Sequence, residues 1–377
     1  MHLHRLNMIK SHLRAQRAVL GRWLLAVGVA SLGGLSQAQI VAPNVAVPFY
    51  TPGSFMQGAY QHWYAPQAAD FSRQAATLPE AVMAVCDASM GTRAVKLRQA
   101  RALWQATAIA WDRLNGVPIG PIVQRRSARQ IDFTPTRPEL IERAIQTAPA
   151  DPAAMERIGS PAKGLPALEW LLWSRPVAPN TPACRYAMQV AADVDREAAA
   201  LSQAFSDLAA LDLGEEEATS VPAMSELVNQ WVGGLERLHW ADMEKPALSI
   251  ASGVSQGKGV RNAGYPRNVS AQTAASWAAH WQALRTLAVS AASEAPRPGT
   301  ALVPLETYLR GRGLNPVAGT LVQRVGNADQ AMKNLSPAHS AGLTSAVRQL
   351  TALKKLVEAE VAPALDVNIG FTDADGD

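Results

Sequence analysis

The most chemically informative part of the chain is residues 164–173, where the Glu169 carboxylate stands among apolar side chains. On a helix, the face that carries this carboxylate also carries Leu165, Leu172 and Trp173. A carboxylate on such a face is expected to be buried, and burial is costly unless the group is paired, hydrogen-bonded, protonated or bound to a metal. The sequence therefore predicts a partner for Glu169.

Two interpretations of this carboxylate follow from the residues alone. In the structural interpretation, Glu169 pairs with Arg126 or Arg113 and holds two helices in register. In the functional interpretation, Glu169 lies in a ligand-binding or proton-handling cleft, with Asp132 as a second carboxylate. Oxygen donors such as Glu169 and Asp132 could hold iron or calcium without histidine. We therefore treat Glu169, Asp132, Arg126 and Arg113 as candidate ligand-binding residues, and the two acids as candidate metal ligands.

Histidine spacing gives little support to a zinc peptidase. Beyond residue 38 the histidines are His62, His239, His280 and His339. None forms the His-Glu-x-x-His pattern that places two imidazoles and a base on one helix face. The three-residue spacing of His239 and Asp242 is more typical of an exposed or hydrogen-bonded helix end.

The elements that must position these residues are helices. Apolar residues recur at spacings of three and four along most of the chain, and strand alternation is almost absent; the helical segments are 71–87, 95–115, 137–147, 165–174, 184–212, 221–241, 271–293, 301–312, 317–335 and 339–362. A polar break at residues 213–220 predicts two helical bundle domains of about four long helices each, over 69–213 and 214–377. Four prolines within residues 39–68 predict an extended arm over this body.

The N-terminus has the pattern of a secretory signal. Residues 1–22 are basic, residues 23–35 are largely apolar, and small residues precede a cut before Gln39, so 1–38 reads as a signal peptide. The alternative is a membrane anchor, but 13 apolar residues fall short of the ~20 that a spanning helix needs. Without this leader the formal charge falls from +4 to −1, which leaves no basic footprint for nucleic acid.

Export makes the two cysteines interpretable. Cys86 and Cys184 form an even pair, and in an oxidising compartment such a pair commonly forms a disulfide. The alternative is two separate buried thiols.

Several segments resemble the imelysin family. Gly164 and Glu169, with the apolar and aromatic residues after them, resemble the family's Gly-x-His-x-x-Glu signature, but Pro166 stands at the histidine position. Further similarity lies ahead of this motif, after it and at the C-terminus, in residues 110–113, 120–122, 126–133, 184–193 and 369–377. The resemblance implies an all-α protein of two helical bundles, exported to the periplasm or cell surface and associated with bacterial iron acquisition. The family also carries a metallopeptidase label, yet proline has no atom that ligates a metal or transfers a proton.

Taken together, the residues and the resemblance predict an exported imelysin-like binding protein that is an accessory to acquisition of iron or another divalent metal. Its cleft would lie around Glu169, and its partner would be a membrane or periplasmic component of iron uptake. One alternative is a metallopeptidase-like hydrolase that uses Glu169 as base or ligand. The other is a non-catalytic interaction module that acts through residues 39–68.

Overall fold

The chain folds into helices joined by turns, and the computed structural model describes residues 47–214, 216–252 and 264–370. No strand occurs in these ranges, and the predicted all-α class is confirmed. The predicted signal peptide, residues 1–38, and the C-terminal residues 371–377 lie outside the described residues.

The α-helices before residue 214 are α1 (Pro52–Ala59), α2 (Ala65–Ala75), α3 (Leu78–Cys86), α4 (Arg93–Leu114), α5 (Pro121–Gln124), α6 (Ser127–Ile131), α7 (Pro138–Thr147), α8 (Pro152–Glu156), α9 (Gly164–Glu169) and α10 (Pro182–Ala210). Those after it are α11 (Glu217–Glu236), α12 (Lys245–Ala251), α13 (Thr273–Ala288), α14 (Leu305–Gly311), α15 (Asn315–Met332), α16 (Ser340–Leu356) and α17 (Ala362–Ala364). A short 3-10 helix covers Ser160–Ala162, and π-helical turns cover Tyr60–Tyr64, Trp170–Ser174, Arg237–Glu244 and Val357–Val361.

Eight of the described helices pack as two groups of four. In the first group, α10 packs on α2 and α3, and both of these pack on α4. In the second group, α15 packs on α13 and α16, and α11 contacts both of those helices. Helix α4 lies against α13 and joins the two groups. The division into bundle domains at residues 213 and 214 stays a prediction.

Many of the described helices have a proline in their first turn. Thr51 and Thr181 each accept a hydrogen bond from a backbone N–H three residues later, and a proline follows each threonine in the first helical position. Proline is well suited to this position because its missing N–H would have no intrahelical partner there. The expected extended arm over residues 39–68 is therefore wrong from Pro52 onward, where α1 and the start of α2 stand instead.

The segment expected to be an arm is built into the core. Phe55, Met56, Trp63 and Tyr64 are buried, and α1 packs against α11. Residues 52–68 consequently do not form a free docking arm.

Three of the four π-helical turns in the described residues are followed by a proline. Pro66, Pro246 and Pro363 each stand at the second residue after such a turn. In a regular α-helix a proline ring clashes with the carbonyl four residues earlier. Here that carbonyl lies inside the wider turn, which makes room for the ring. The remaining turn, Trp170–Ser174, begins directly after Glu169.

One disulfide links the first group of helices. Cys86 at the end of α3 is bonded to Cys184 in the first turn of α10, with the two Cα atoms 5.7 Å apart and 98 positions apart in sequence. A crosslink over a loop of this length stabilises the fold by about 4–5 kcal/mol in the chain-entropy description.

Within the described ranges, no helix combines the length and the apolar character needed to cross a membrane.

Candidate functional site

Glu169 is buried, as the apolar spacing around it predicts. The residue is 6% exposed at the end of α9, and its Oε1 accepts a hydrogen bond of 2.9 Å from the backbone N–H of Ser270. Ser270 lies in the turn formed by residues 264–272, just before α13. Burial raises the pKa of Glu169, although the bond from Ser270 and the nearby charge of Arg267 oppose this shift. The carboxyl therefore holds its proton more firmly than an exposed glutamate does.

The positive charge beside Glu169 is that of Arg267, whose side chain is 3% exposed and pairs with Asp112 and Asp132. Its Nη2 donates to Asp112 Oδ1 at 2.7 Å and to Asp132 Oδ2 at 2.8 Å, and its Nη1 donates to Asp132 Oδ1 at 2.8 Å. A longer bond of 3.3 Å joins its Nε to Asp112 Oδ2. The Trp104 ring lies 5.7 Å from the guanidinium carbon. Burial alone would lower the pKa of Arg267, but the two carboxylates outweigh it and hold the pKa above its usual value.

Asp132 is fixed between an indole and this guanidinium. Trp111 donates its Nε1–H to Asp132 Oδ2 at 3.1 Å, so both oxygens of the aspartate are engaged. Burial raises the pKa of Asp132, with Asp112 adding to the shift and Arg267 opposing it. The structure thus brings Asp132 and Glu169 to one polar cluster, together with Asp112, which the sequence did not single out as a candidate.

Gly164 explains how the segment before Asp132 reaches α9. Its φ is +77°, in the left-handed region that favours glycine. A Cβ on this residue would lie 2.3 Å from the carbonyl oxygen of Ile131. Only glycine lets the two backbones approach this closely, and the approach places Asp132 beside the start of the motif helix.

The expected pairing of Glu169 with Arg126 or Arg113 is wrong. Arg126 is exposed and adopts a left-handed conformation just before α6. Arg113 is half-buried on α4, next in sequence to Asp112, so it points about 100° away around the helix. The positive charge near Glu169 comes from Arg267, which belongs to a turn without periodicity and carried no sequence signal.

A second polar group adjoins the first. Arg237 in the π-helical turn donates Nη2 to the Asn115 carbonyl and, at 3.3 Å, to Nε2 of His280. Because a guanidinium can only donate, Nε2 of His280 accepts, and Nδ1 carries the proton that faces Asp242 Oδ2 at 3.3 Å. Burial, with the charge of Arg237, lowers the pKa of His280. The neutral form of this imidazole is therefore favoured.

His239 and Asp242 are each hydrogen-bonded, in keeping with the interpretation that their spacing favoured, but they bond to other residues. His239 is buried, and its Nε2 lies 2.9 Å from Glu236 Oε2. Asp242 faces His280 instead. The two residues belong to different contacts, although they stand only three positions apart.

The donor set does not fit a resident metal ion. Asp132 and Glu169 are the metal ligands expected from the sequence. Both oxygens of Asp132 already accept hydrogen bonds from Arg267 and Trp111. The guanidinium already occupies the place between Asp112 and Asp132 that a cation would need. In the part of the chain that the structure describes, no three side chains of histidine, cysteine, aspartate or glutamate form a group that could hold a metal ion. What the cluster can do is form hydrogen bonds and hold or release a proton at Glu169.

A comparison with protein-family models identifies one family. The family model described as Imelysin matches residues 64–366. No curated protein matches the chain.

Two solved structures share the fold. An imelysin-like protein from Psychrobacter arcticum 273-4 superposes with a TM-score of 0.65 at 18% identity, covering 85% of this chain and 97% of its own. An iron-regulated protein A precursor from Parabacteroides distasonis ATCC 8503 also gives 0.65, at 11% identity, covering 84% of this chain and 94% of its own. At these identities the likeness concerns the fold alone.

Proposed function

The chain belongs to the imelysin family, and from this membership we propose that it is an exported binding protein that serves iron acquisition without peptide hydrolysis. Its ligand or partner would meet the polar cluster around Glu169. The observation that carries the proposal is the buried Glu169 carboxylate, which stands beside a charged network that reaches the surface. The side chains of Asp132 and Asp242 are 17% and 21% exposed, which offers a route to the cluster.

Export is supported by two features of the chain. The basic and apolar leader ends in small residues before Gln39. The bond between Cys86 and Cys184 is the kind that persists in an oxidising compartment. The fold is also shared with a protein whose name includes the words iron-regulated and precursor. Together these features favour the periplasm or the cell surface, with a membrane or periplasmic uptake component as the partner.

Binding is better supported than hydrolysis. Pro166 offers no titratable atom at the start of the motif helix. A metallopeptidase needs an accessible metal and a base, whereas Asp132 is already engaged by Arg267 and Trp111. Iron would then be the cargo of the system in which the protein acts, rather than its resident cofactor.

Growth under iron limitation tests the role. A strain lacking the gene would be complemented with wild type, with Glu169→Gln or with Glu156→Gln, an exposed glutamate on α8 that serves as the matched control. We expect wild type and the control to restore growth in the presence of an iron chelator, and Glu169→Gln to restore it poorly at equal protein abundance. Normal growth of the deletion strain would contradict the iron role.

Hydrolysis and export need separate measurements. Incubation of purified wild type and Glu169→Ala with casein is expected to give equal, background release of peptides. A release by wild type that Glu169→Ala loses would favour the metallopeptidase instead. Mass spectrometry of the mature protein from fractionated cells should show an N-terminus at Gln39, and an intact leader in the cytoplasmic fraction would contradict export.

A further inference from the structure

We infer that Arg267 is the resident cation of the cluster and does for Asp112 and Asp132 what a divalent metal ion would do, so that the site is complete without metal. Four hydrogen bonds join this one side chain to the two carboxylates. The inference stands on this geometry and does not depend on a role in iron acquisition.

The guanidinium and a metal ion would compete for the same oxygens. Nη2 of Arg267 lies 2.7 Å from Asp112 Oδ1 and 2.8 Å from Asp132 Oδ2, so a single nitrogen bridges the two carboxylates. A hard cation would bind through these oxygens too. The planar fork of arginine suits this bridging, whereas the ammonium of lysine is a single point charge.

The same side chain secures the turn that reaches Glu169. Arg267 has a φ of +57° and Ala271 one of +58°, both costly for residues with a Cβ. The Arg267 carbonyl accepts the Ser270 hydroxyl at 3.1 Å, and the Ser270 N–H donates to Glu169. Arg267 is therefore a positioning residue: its ion pairs fix the turn, and the turn presents Ser270 to Glu169.

Thermal unfolding with and without metal tests this assignment. The variants are Arg267→Ala, Arg267→Lys, the double variant Arg267→Ala with Asp132→Asn, and Arg175→Ala as a control from an exposed ion pair with Glu142. Each is measured in EDTA, in CaCl2 and in MnCl2. We expect the wild-type Tm to be the same in all three and the control to shift little.

Removing the guanidinium should reveal the cation requirement. Arg267→Ala is expected to lower the Tm by roughly 5–15 °C in EDTA, because it leaves the half-buried carboxylates of Asp112 and Asp132 without their cation. Calcium or manganese should recover part of that loss, and the double variant with Asp132→Asn should not respond. Arg267→Lys should lie between wild type and Arg267→Ala.

Several results would overturn the assignment. A wild-type Tm that falls in EDTA and returns with metal would make a metal ion the resident cation. An Arg267→Ala variant with the wild-type Tm, or one that ignores both metals, would show that the guanidinium does not have this role. If Arg267→Ala does not accumulate as folded protein, Arg267→Lys provides the test. A Tm of Arg267→Lys equal to that of wild type would contradict the need for a guanidinium that bridges the two carboxylates. A failed growth test would leave all these readouts unchanged, so the two proposals can fail separately.

Discussion

Substitutions of Glu169 by glutamine and by alanine separate the charge of this side chain from its hydrogen bond. Glutamine keeps an oxygen that can accept from Ser270 N–H and nearly the same volume. Alanine removes both. Because burial raises the pKa of Glu169 in the folded protein, ionisation works against folding at neutral pH. Glutamine imitates the protonated form that the fold favours.

The expected magnitudes follow from the contacts. Alanine leaves the buried Ser270 N–H without its acceptor, which costs about 1–3 kcal/mol. It also removes one buried methylene, the Cγ group, which is worth about 0.8 kcal/mol. We therefore expect Glu169→Ala to destabilise the fold by about 2–4 kcal/mol. Glu169→Gln is expected to stay within about 1 kcal/mol of wild type at pH 7, since it keeps the acceptor.

The pH dependence gives the sign of the effect. A carboxyl whose folded pKa lies above its unfolded value of 4.5 contributes stability that is fully present below pH 4.5. That contribution is lost as the pH rises through the folded pKa. Wild type should therefore lose stability relative to Glu169→Gln between pH 4 and pH 7.

Urea unfolding followed by circular dichroism at both pH values measures these differences, with Glu156→Gln as an exposed control. A glutamine variant that loses as much stability at pH 7 as the alanine variant would show that the charge, and not the acceptor, holds Ser270. If the stability of wild type rose relative to that of Glu169→Gln as the pH increased, burial would not be the dominant influence on the pKa of Glu169.

Three further predictions concern the framework of the site. The pKa of His280 is lowered by burial and by Arg237, so on acidification the unfolded chain binds a proton at this residue before the folded protein does. The stability of the fold should therefore fall as the pH drops below about 6.5. His280→Gln should flatten this dependence in Tm measurements between pH 7 and pH 5, and an unchanged slope would contradict the prediction. Joint replacement of Cys86 and Cys184 by serine should cost about 4–5 kcal/mol in urea unfolding, whereas a loss below about 1 kcal/mol would mean that the crosslink constrains little. Gly164→Ala should lower the free energy of unfolding by at least ~2 kcal/mol more than Gly299→Ala does. Both glycines have a positive φ, but an added Cβ would clash with backbone only at Gly164. Equal losses for the two variants would count against the close approach of Gly164 to Ile131.

The sequence by itself determined most of the long helices and the burial of Glu169. Both follow from local spacing, because the helical period decides which side chains share a face before any tertiary contact forms. The order of short motifs around Gly164 and Glu169 also indicated the family that the match over residues 64–366 supports. The prolines of residues 52–66 were ambiguous, since proline suits both an extended segment and the first turn of a helix. In the structure this segment is helical: Thr51 caps the first helix, and the aromatic side chains of the segment are buried in the core.

Only the tertiary structure decided what meets Glu169. Ser270 is 101 residues away, and the carboxylates that Arg267 binds precede it by 155 and 135 positions. The apolar periodicity around Glu169 predicts that this buried acid needs a partner, but it does not indicate which turn of the chain packs beside it. That choice depends on how α4, α9 and α13 pack, and on the close approach at Gly164 that places Asp132 there. An arginine in an irregular turn became the centre of the cluster because packing, and not local sequence, set its neighbours.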